Sequence, residues 1–252
     1  MMEGNIRHNT TAPTAAAAVG LVDVIFLDID GVLLPFGGDG DHDGGTAPGC
    51  IFPDRTMDAL TSLIDRAGRL LLEAAAAGEP ARGNPALVLS STWRVRADFV
   101  DDIVSSLTRH AARRRGPVGD GGGRDWTTAW PSPGSPDGGP FFDMTDPLHQ
   151  STRCDEVYKW VSANAGLVHR TDGGGTTRTF RVRSWIALDD EDLVNVEGRT
   201  VGDAVRHAVR TESSVGLTED DVDVAMGLIE AQIRDFHRRP AGTRDGELRV
   251  EG

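Results

Sequence analysis

The sequence predicts an α/β fold, one domain built on a parallel β-sheet and carrying long loops. Three observations predict it. Val24-Ile25-Phe26-Leu27 is an unbroken apolar run stopping on Asp28, the pattern of a strand buried on both faces. Further short runs occur at 86–89 and 180–188, alternating with stretches whose apolar residues fall at helical spacing. Each of these runs also ends on polar groups: Asp28 and Asp30, Ser90 and Ser91, Asp189 and Asp190.

Composition bounds the rest. The chain has 252 residues, 38% of them hydrophobic, and 31 glycines, so much of its length is loop or tail rather than packed core. No apolar stretch approaches the roughly 20 residues of a membrane span. The N-terminus lacks the apolar region of a secretory signal. Cys50 and Cys154 give neither a disulfide framework nor metal-ligand spacing, and read as reduced thiols of a cytoplasmic protein. The net charge of −13 opposes non-specific binding to nucleic acid, which depends on neutralising phosphates.

In chain order, residues 1–20 lack periodicity and read as a disordered tail, with the domain spanning 21–238. The first strand covers about 21–28, and Gly31 lets the backbone turn sharply behind its two acids. The acidic loop 37–45 resembles the first half of a calcium-binding EF-hand loop. Its twelfth position is Cys50 rather than a bidentate Glu, so a plain loop is expected. Met57, Leu60, Ile64, Ala67 and Leu71 define a helix begun by Pro53-Asp54 and ended by Gly78 and Pro80. After the second strand, Trp93 to Arg115 reads as one helix with Phe99, Val100, Ile103, Val104 and Leu107 on its inner face. Its terminal Arg113-Arg114-Arg115 suits the negative end of the helix dipole.

Residues 116–150 read as a loop insertion, rich in Gly and Pro over 116–140. Trp126 and Trp130 within it either stack on a nucleobase or pin the loop down, the second being favoured. Phe141 to Thr145 is either a short strand or the return from that insertion. Thr152 and Asp155 have capping-box spacing and open a helix through Val157, Trp160 and Val161. Gly173-Gly174-Gly175 lacks the Lys of a phosphate-binding loop and reads as a turn. A strand through 204–211 follows the acidic pair. Thr218 then caps a final helix with Val222, Ala225, Ile229, Ile233 and Phe236 inward, and 239–252 reads as a disordered tail.

Strands of a parallel sheet deliver their carboxyl ends to one edge, where open α/β sheets bind ligands. Asp28, Asp30, Asp189 and Asp190 converging there would repel one another unless a cation bound among them. An all-oxygen set of this kind suits Mg²⁺.

These residues resemble the haloacid dehalogenase-like superfamily of phosphotransferases. Its first motif is matched by Asp28, Asp30 and Gly31, its second by Ser90 or Ser91, and its acidic fourth by Asp189-Asp190. The finer pattern resembles the domain found in "Swiss Army Knife" RNA repair proteins. It comprises Leu27-Asp28-Ile29-Asp30-Gly31-Val32-Leu33, Ser90-Ser91-Thr92-Trp93-Arg94, Arg153 with Glu156 and Trp160, Leu188-Asp189-Asp190, and Gly216-Leu217-Thr218.

The resemblance implies a Rossmann-like sheet with helices on both faces and a minimal cap. It also implies a Mg²⁺-dependent phosphohydrolase. Asp28 would be the nucleophile and Asp30 the acid and base. Ser90 would bind the phosphoryl oxygens together with a cation. Arg153 and Lys159 compete for that last role. Arg153 shares the inward phase of Val157 and lies in the helix's first turn, so it is favoured. Metal ligands would be Asp28, the main-chain carbonyl of Asp30, and Asp190 or Asp189. Trp93 and Arg94 fit a packing role and a substrate role equally. The expected partner is a phosphorylated substrate: a nucleotide, a nucleic-acid end or a small metabolite. A catalytically silent binding protein of the same fold is the alternative from another class.

Overall fold

The computed structural model describes residues 19–37, 50–78, 83–114, 126–128, 130–132, 135–148, 151–164, 167–171, 177–196, 199–200 and 204–239. Most of the two expected tails, most of the acidic 37–45 loop, Arg115 and the glycines at 173–175 lie outside the described residues.

The main strands and helices follow the hydrophobic periodicity. β1 (Gly20–Leu27) leads to α1 (Asp54–Ala76), β2 (Ala86–Leu89) and α2 (Ala97–Arg114). The short strands β3 (Trp130–Ser132) and β4 (Ser135–Gly139) form an antiparallel ribbon before β5 (Phe141–Met144). Next come α3 (Arg153–Ala163), β6 (Val168–Thr171), β7 (Thr177–Asp189), and the short ribbon of β8 (Asn195–Val196) and β9 (Arg199–Thr200). The chain continues through β10 (Ala208–Arg210) and α4 (Glu219–Arg238). The main sheet has the order β10-β7-β1-β2-β5, every one of these pairs parallel, while β6 pairs antiparallel with the first part of β7. The fold is therefore the expected Rossmann-like α/β core.

Alternation along the strands splits the core into two layers. Ile25, Leu27, Leu87, Leu89, Phe141, Ile186 and Leu188 face α1, α2 and α4, meeting Leu60, Ile64, Ile103, Leu107, Val222 and Ile229. Val24, Phe26, Val88, Phe142 and Ala187 face α3, where Val157, Trp160 and Val161 pack. Phe26 meets the Trp160 and Trp185 rings edge-on at 5.2 and 5.8 Å. Asp23 interrupts the apolar run of β1 and is buried there. It accepts from Arg183 Nη2 at 2.7 Å and Ser184 Oγ at 2.8 Å, so both partners of this interior charge pair are hydrogen-bonded.

Three expectations are corrected. The single helix from Trp93 to Arg115 is broken: Thr92–Val95 is one turn of 3-10 helix, Arg96 is extended, and α2 starts at Ala97. Ser91 Oγ caps that turn by accepting from Trp93 N–H. Trp93 and Arg94 then leave the face that Phe99 and Ile103 define, because both side chains turn toward the sheet edge. The 116–150 stretch is not loop throughout. Phe141 and Phe142 bury on opposite faces and make β5 an edge strand of the main sheet, and Trp126 is buried in the core at 6% exposure. Finally, 204–211 opens with a 3-10 turn at Ala204–Arg206. His207 stacks on Trp185 there, and the strand occupies only Ala208–Arg210.

The two cysteines are buried and free. The arginines ending α2 reach across to α1, Arg113 to Asp54 at 2.8 Å and Arg114 to Asp58 at 3.4 Å.

Candidate active site

Strand register assembles the site. Leu27 pairs with Leu188 on one side and Leu89 on the other, and Leu89 pairs with Met144. One residue further along these strands stand Asp189, Asp28, Ser90 and Thr145, side by side across the sheet. The backbone ladder continues through them: Asp28 N–H donates to Leu188 O at 3.1 Å, Ser90 N–H to Leu27 O at 2.9 Å, and Thr145 N–H to Leu89 O at 3.0 Å. Phe26, Ala187 and Val88 lie two residues earlier and face α3, so Asp28, Asp189 and Ser90 face α3 as well. All four polar side chains of the row are buried.

The first turn of α3 sits above this row. Thr152 caps the helix with a complete capping box, which fixes where Arg153 begins. The Arg153 guanidinium lies 3.6 Å from Asp28 Oδ1 and 3.5 Å from Asp189 Oδ2, and it donates to Glu156 Oε2 at 3.1 Å. Lys159 points outward and pairs with Asp146 at 3.4 Å. Glu156 is also the partner of Arg94, whose Nη2 is 2.7 Å away. Arg94 further donates to the main-chain carbonyls of Thr145 and Ser91. One buried carboxylate thus ties together two guanidiniums, one beside the acids and one bracing the ends of β2 and β5.

The turn after β1 brings in the remaining acids. Gly31 has φ +67°, and a Cβ added there would lie 2.6 Å from Asp190 Cβ and collide with its carboxyl group. Glycine is needed because Asp190 packs directly on the turn. Thr211 Oγ1 anchors the same turn by donating to Gly31 O at 2.8 Å. Carboxylate oxygens of Asp28, Asp189 and Asp190 lie within 4.8 Å of one another. The Asp30 carboxylate stands outside that trio. Its Oδ2 accepts the indole N–H of Trp93 at 3.0 Å, and Trp93 rests on Phe99 with ring centroids 5.0 Å apart.

Burial dominates the electrostatics. It pushes Asp28 from 3.8 up to about 6, against the opposing pull of Arg153 and of the Ile29 N–H. Burial first, then the Asp28 carboxylate, hold Asp189 well above the usual carboxylate range. Among the described residues, Asp28 Oδ1, Ser90 Oγ, Thr145 Oγ1 and Arg153 Nε are buried without a hydrogen-bond partner. Ser91 Oγ, by contrast, has partners: it accepts from Trp93 N–H, and its hydroxyl interacts with the Asp28 carboxylate. Buried polar atoms are normally satisfied, so a convergence of unsatisfied ones marks a place built for a polar ligand. The donors suit an anion and the three carboxylates suit a hard cation.

Sequence reasoning placed Asp28, Asp30, Ser90, Arg153, Asp189 and Asp190 at this edge, and the structure brings them there. It named Arg94 and Trp93 without a contact, named Glu156 only as a motif position, and passed over the hydroxyl of Thr145. The HAD domain in Swiss Army Knife RNA repair proteins, as a family, matches residues 24–222. No curated protein and no solved structure matches the chain.

Proposed function

We propose, from the premise that the chain belongs to the HAD domain family of Swiss Army Knife RNA repair proteins, that it is a Mg²⁺-dependent phosphohydrolase acting through an aspartyl-phosphate. The observation that carries this reading is Asp28. Its buried carboxylate has an oxygen free of hydrogen bonds, with Arg153 on one side and Asp189 close by.

Asp28 Oδ1 attacks phosphorus and the bond to the leaving oxygen breaks. Asp30 supplies the proton that the leaving oxygen takes up, and later removes a proton from the water that hydrolyses the phosphoenzyme. The Trp93 indole holds one oxygen of Asp30, leaving the other to carry that proton. Arg153 and the Ser90 hydroxyl bind the phosphoryl oxygens. The carboxylates of Asp28, Asp189 and Asp190, with the main-chain carbonyl of Asp30, would hold Mg²⁺. The fit rests on one carboxylate oxygen from each of three acids, all within 4.8 Å of one another. When bound, the ion supplies positive charge that offsets the carboxylates and the transferring phosphoryl group.

The substrate is a phosphate on a nucleic-acid end or a nucleotide, a reading supported by the setting in which the family's domains occur. The net charge of −13 favours a second reading, a small phosphorylated metabolite. Comparing turnover across phosphorylated oligonucleotides, nucleotides and sugars separates the two.

The test of the reaction class is hydrolysis of a generic aryl phosphate with Mg²⁺, lost on chelation and restored by the ion. Thermal unfolding gives a parallel readout with a definite sign. The raised pKa of Asp28 favours its protonated form in the folded state. In metal-free protein the associated stability is therefore present below about 4 and lost as pH climbs toward about 6. Above that range the ionised Asp28 carboxylate is available to a cation without competition from protons. Mg²⁺ is expected to raise Tm clearly at pH 7.5 and far less at pH 5. An equal shift at both pH values contradicts binding at these carboxylates.

A further inference from the structure

The polar row at the sheet edge extends one strand beyond Ser90 and ends on Thr145. Thr145 is 2% exposed and its Oγ1 has no hydrogen-bond partner. A buried hydroxyl in that condition costs stability without return unless a ligand completes it. Its direction follows from Asp143, two residues earlier on the same strand. Asp143 Oδ2 accepts the indole N–H of Trp160, so this side of β5 faces α3. Thr145 thus shares the face of Asp28 and Ser90, beneath the helix that carries Arg153. Its backbone is fixed from both directions, N–H to Leu89 O at 3.0 Å and carbonyl to Arg94 Nε at 2.8 Å. That double anchoring leaves the side chain as its free polar group.

We infer that Thr145 Oγ1 is a further phosphoryl-binding donor, reaching the same group as Ser90 from its far side. The inference rests on the phosphohydrolase reading. Neighbouring strands lie ~4.8 Å apart, which puts Asp28 and Thr145 ~10 Å apart at the backbone with Ser90 between them. A phosphoryl group seated over Ser90 bridges that span. Attack needs Asp28 roughly 3–3.5 Å from phosphorus, and a P–O bond followed by a hydrogen bond of about 2.7 Å covers the distance to Thr145. The hydroxyl proton goes to a phosphoryl oxygen, and no covalent step involves Thr145. Ser90 and Thr145 then hold the oxygens on the side away from the acids, while Arg153 reaches them from beside Asp28.

The test uses inorganic phosphate as ligand, titrated calorimetrically with Mg²⁺ into wild type, Thr145→Val, Thr145→Ala and Thr145→Ser, alongside aryl-phosphate turnover. Losing a hydrogen bond to an anion weakens binding about tenfold or more. Thr145→Val and Thr145→Ala are expected to bind phosphate that much more weakly, and Thr145→Ser to stay within about twofold of wild type. Free of phosphate and metal, Thr145→Val is expected to melt at or above the wild-type temperature, because it removes an unsatisfied hydroxyl. Wild-type phosphate affinity in the Val and Ala variants overturns the inference, as does a Ser variant as weak as Val. If wild type binds phosphate but turns over no ester, the phosphohydrolase reading fails. The Thr145 contact then stands or falls on the titration alone.

Discussion

Asp28→Asn is expected to lower kcat for aryl-phosphate hydrolysis by on the order of 10⁴-fold or more, the scale on which deleting a nucleophile acts. The amide keeps the volume of the carboxyl group but cannot attack phosphorus. The same substitution should raise the melting temperature of metal-free protein at pH 7.5. In the wild type, burial disfavours the ionised form of Asp28, and the Asp28 charge in turn pushes Asp189 up. Removing its charge relieves both costs. A variant that is dead yet more stable separates lost chemistry from lost fold. Equal turnover in wild type and Asp28→Asn would remove Asp28 from the nucleophile role.

Arg153→Ala is expected to act on rate and stability together. The guanidinium lies beside Asp28 and Asp189 and donates to Glu156, all three buried. Deleting it removes a donor to the developing phosphoryl charge, an effect of about 10²–10³ in rate. It also leaves interior carboxylates less compensated, which destabilises by about 3–5 kcal/mol when a buried pair is broken. Arg153→Lys is expected to recover little of the rate. A single ammonium cannot meet Asp28, Asp189 and Glu156 at once as the planar fork does. Kinetics and melting of both variants check this. Wild-type kcat/KM in Arg153→Ala would assign phosphoryl binding elsewhere.

The residues that were legible in the sequence share a physical reason. Asp28 and Asp189 each end an apolar run, and a carboxylate in that position has few places to go except the edge of the sheet. Arg153 was readable because helical phase links it to Val157. What escaped depends on register between distant strands. Thr145 immediately follows a strand of four residues that comes after a Gly- and Pro-rich stretch. Only pairing with β2 shows that it stands beside Ser90. Arg94 and Glu156 meet across 62 positions of sequence, so their bridge has no local signature. Asp23 and Arg183 are likewise 160 positions apart, and a lone acid inside an apolar run gives no hint of its partner. The misread start of α2 has a local cause. Trp93 and Arg94 fit the length of a helix, but their contacts with Asp30 and Thr145 draw them off its axis.

Trapping the phosphoenzyme tests the central claim most directly. Wild-type protein is quenched in acid during turnover of a labelled aryl phosphate with Mg²⁺, and its peptides are mapped by mass spectrometry. The account predicts one phosphorylated residue, Asp28, whose label survives acid, is released by hydroxylamine, and is absent from Asp28→Asn. Turnover with no phosphate on Asp28, or with the label on Ser90 or Asp30, contradicts it.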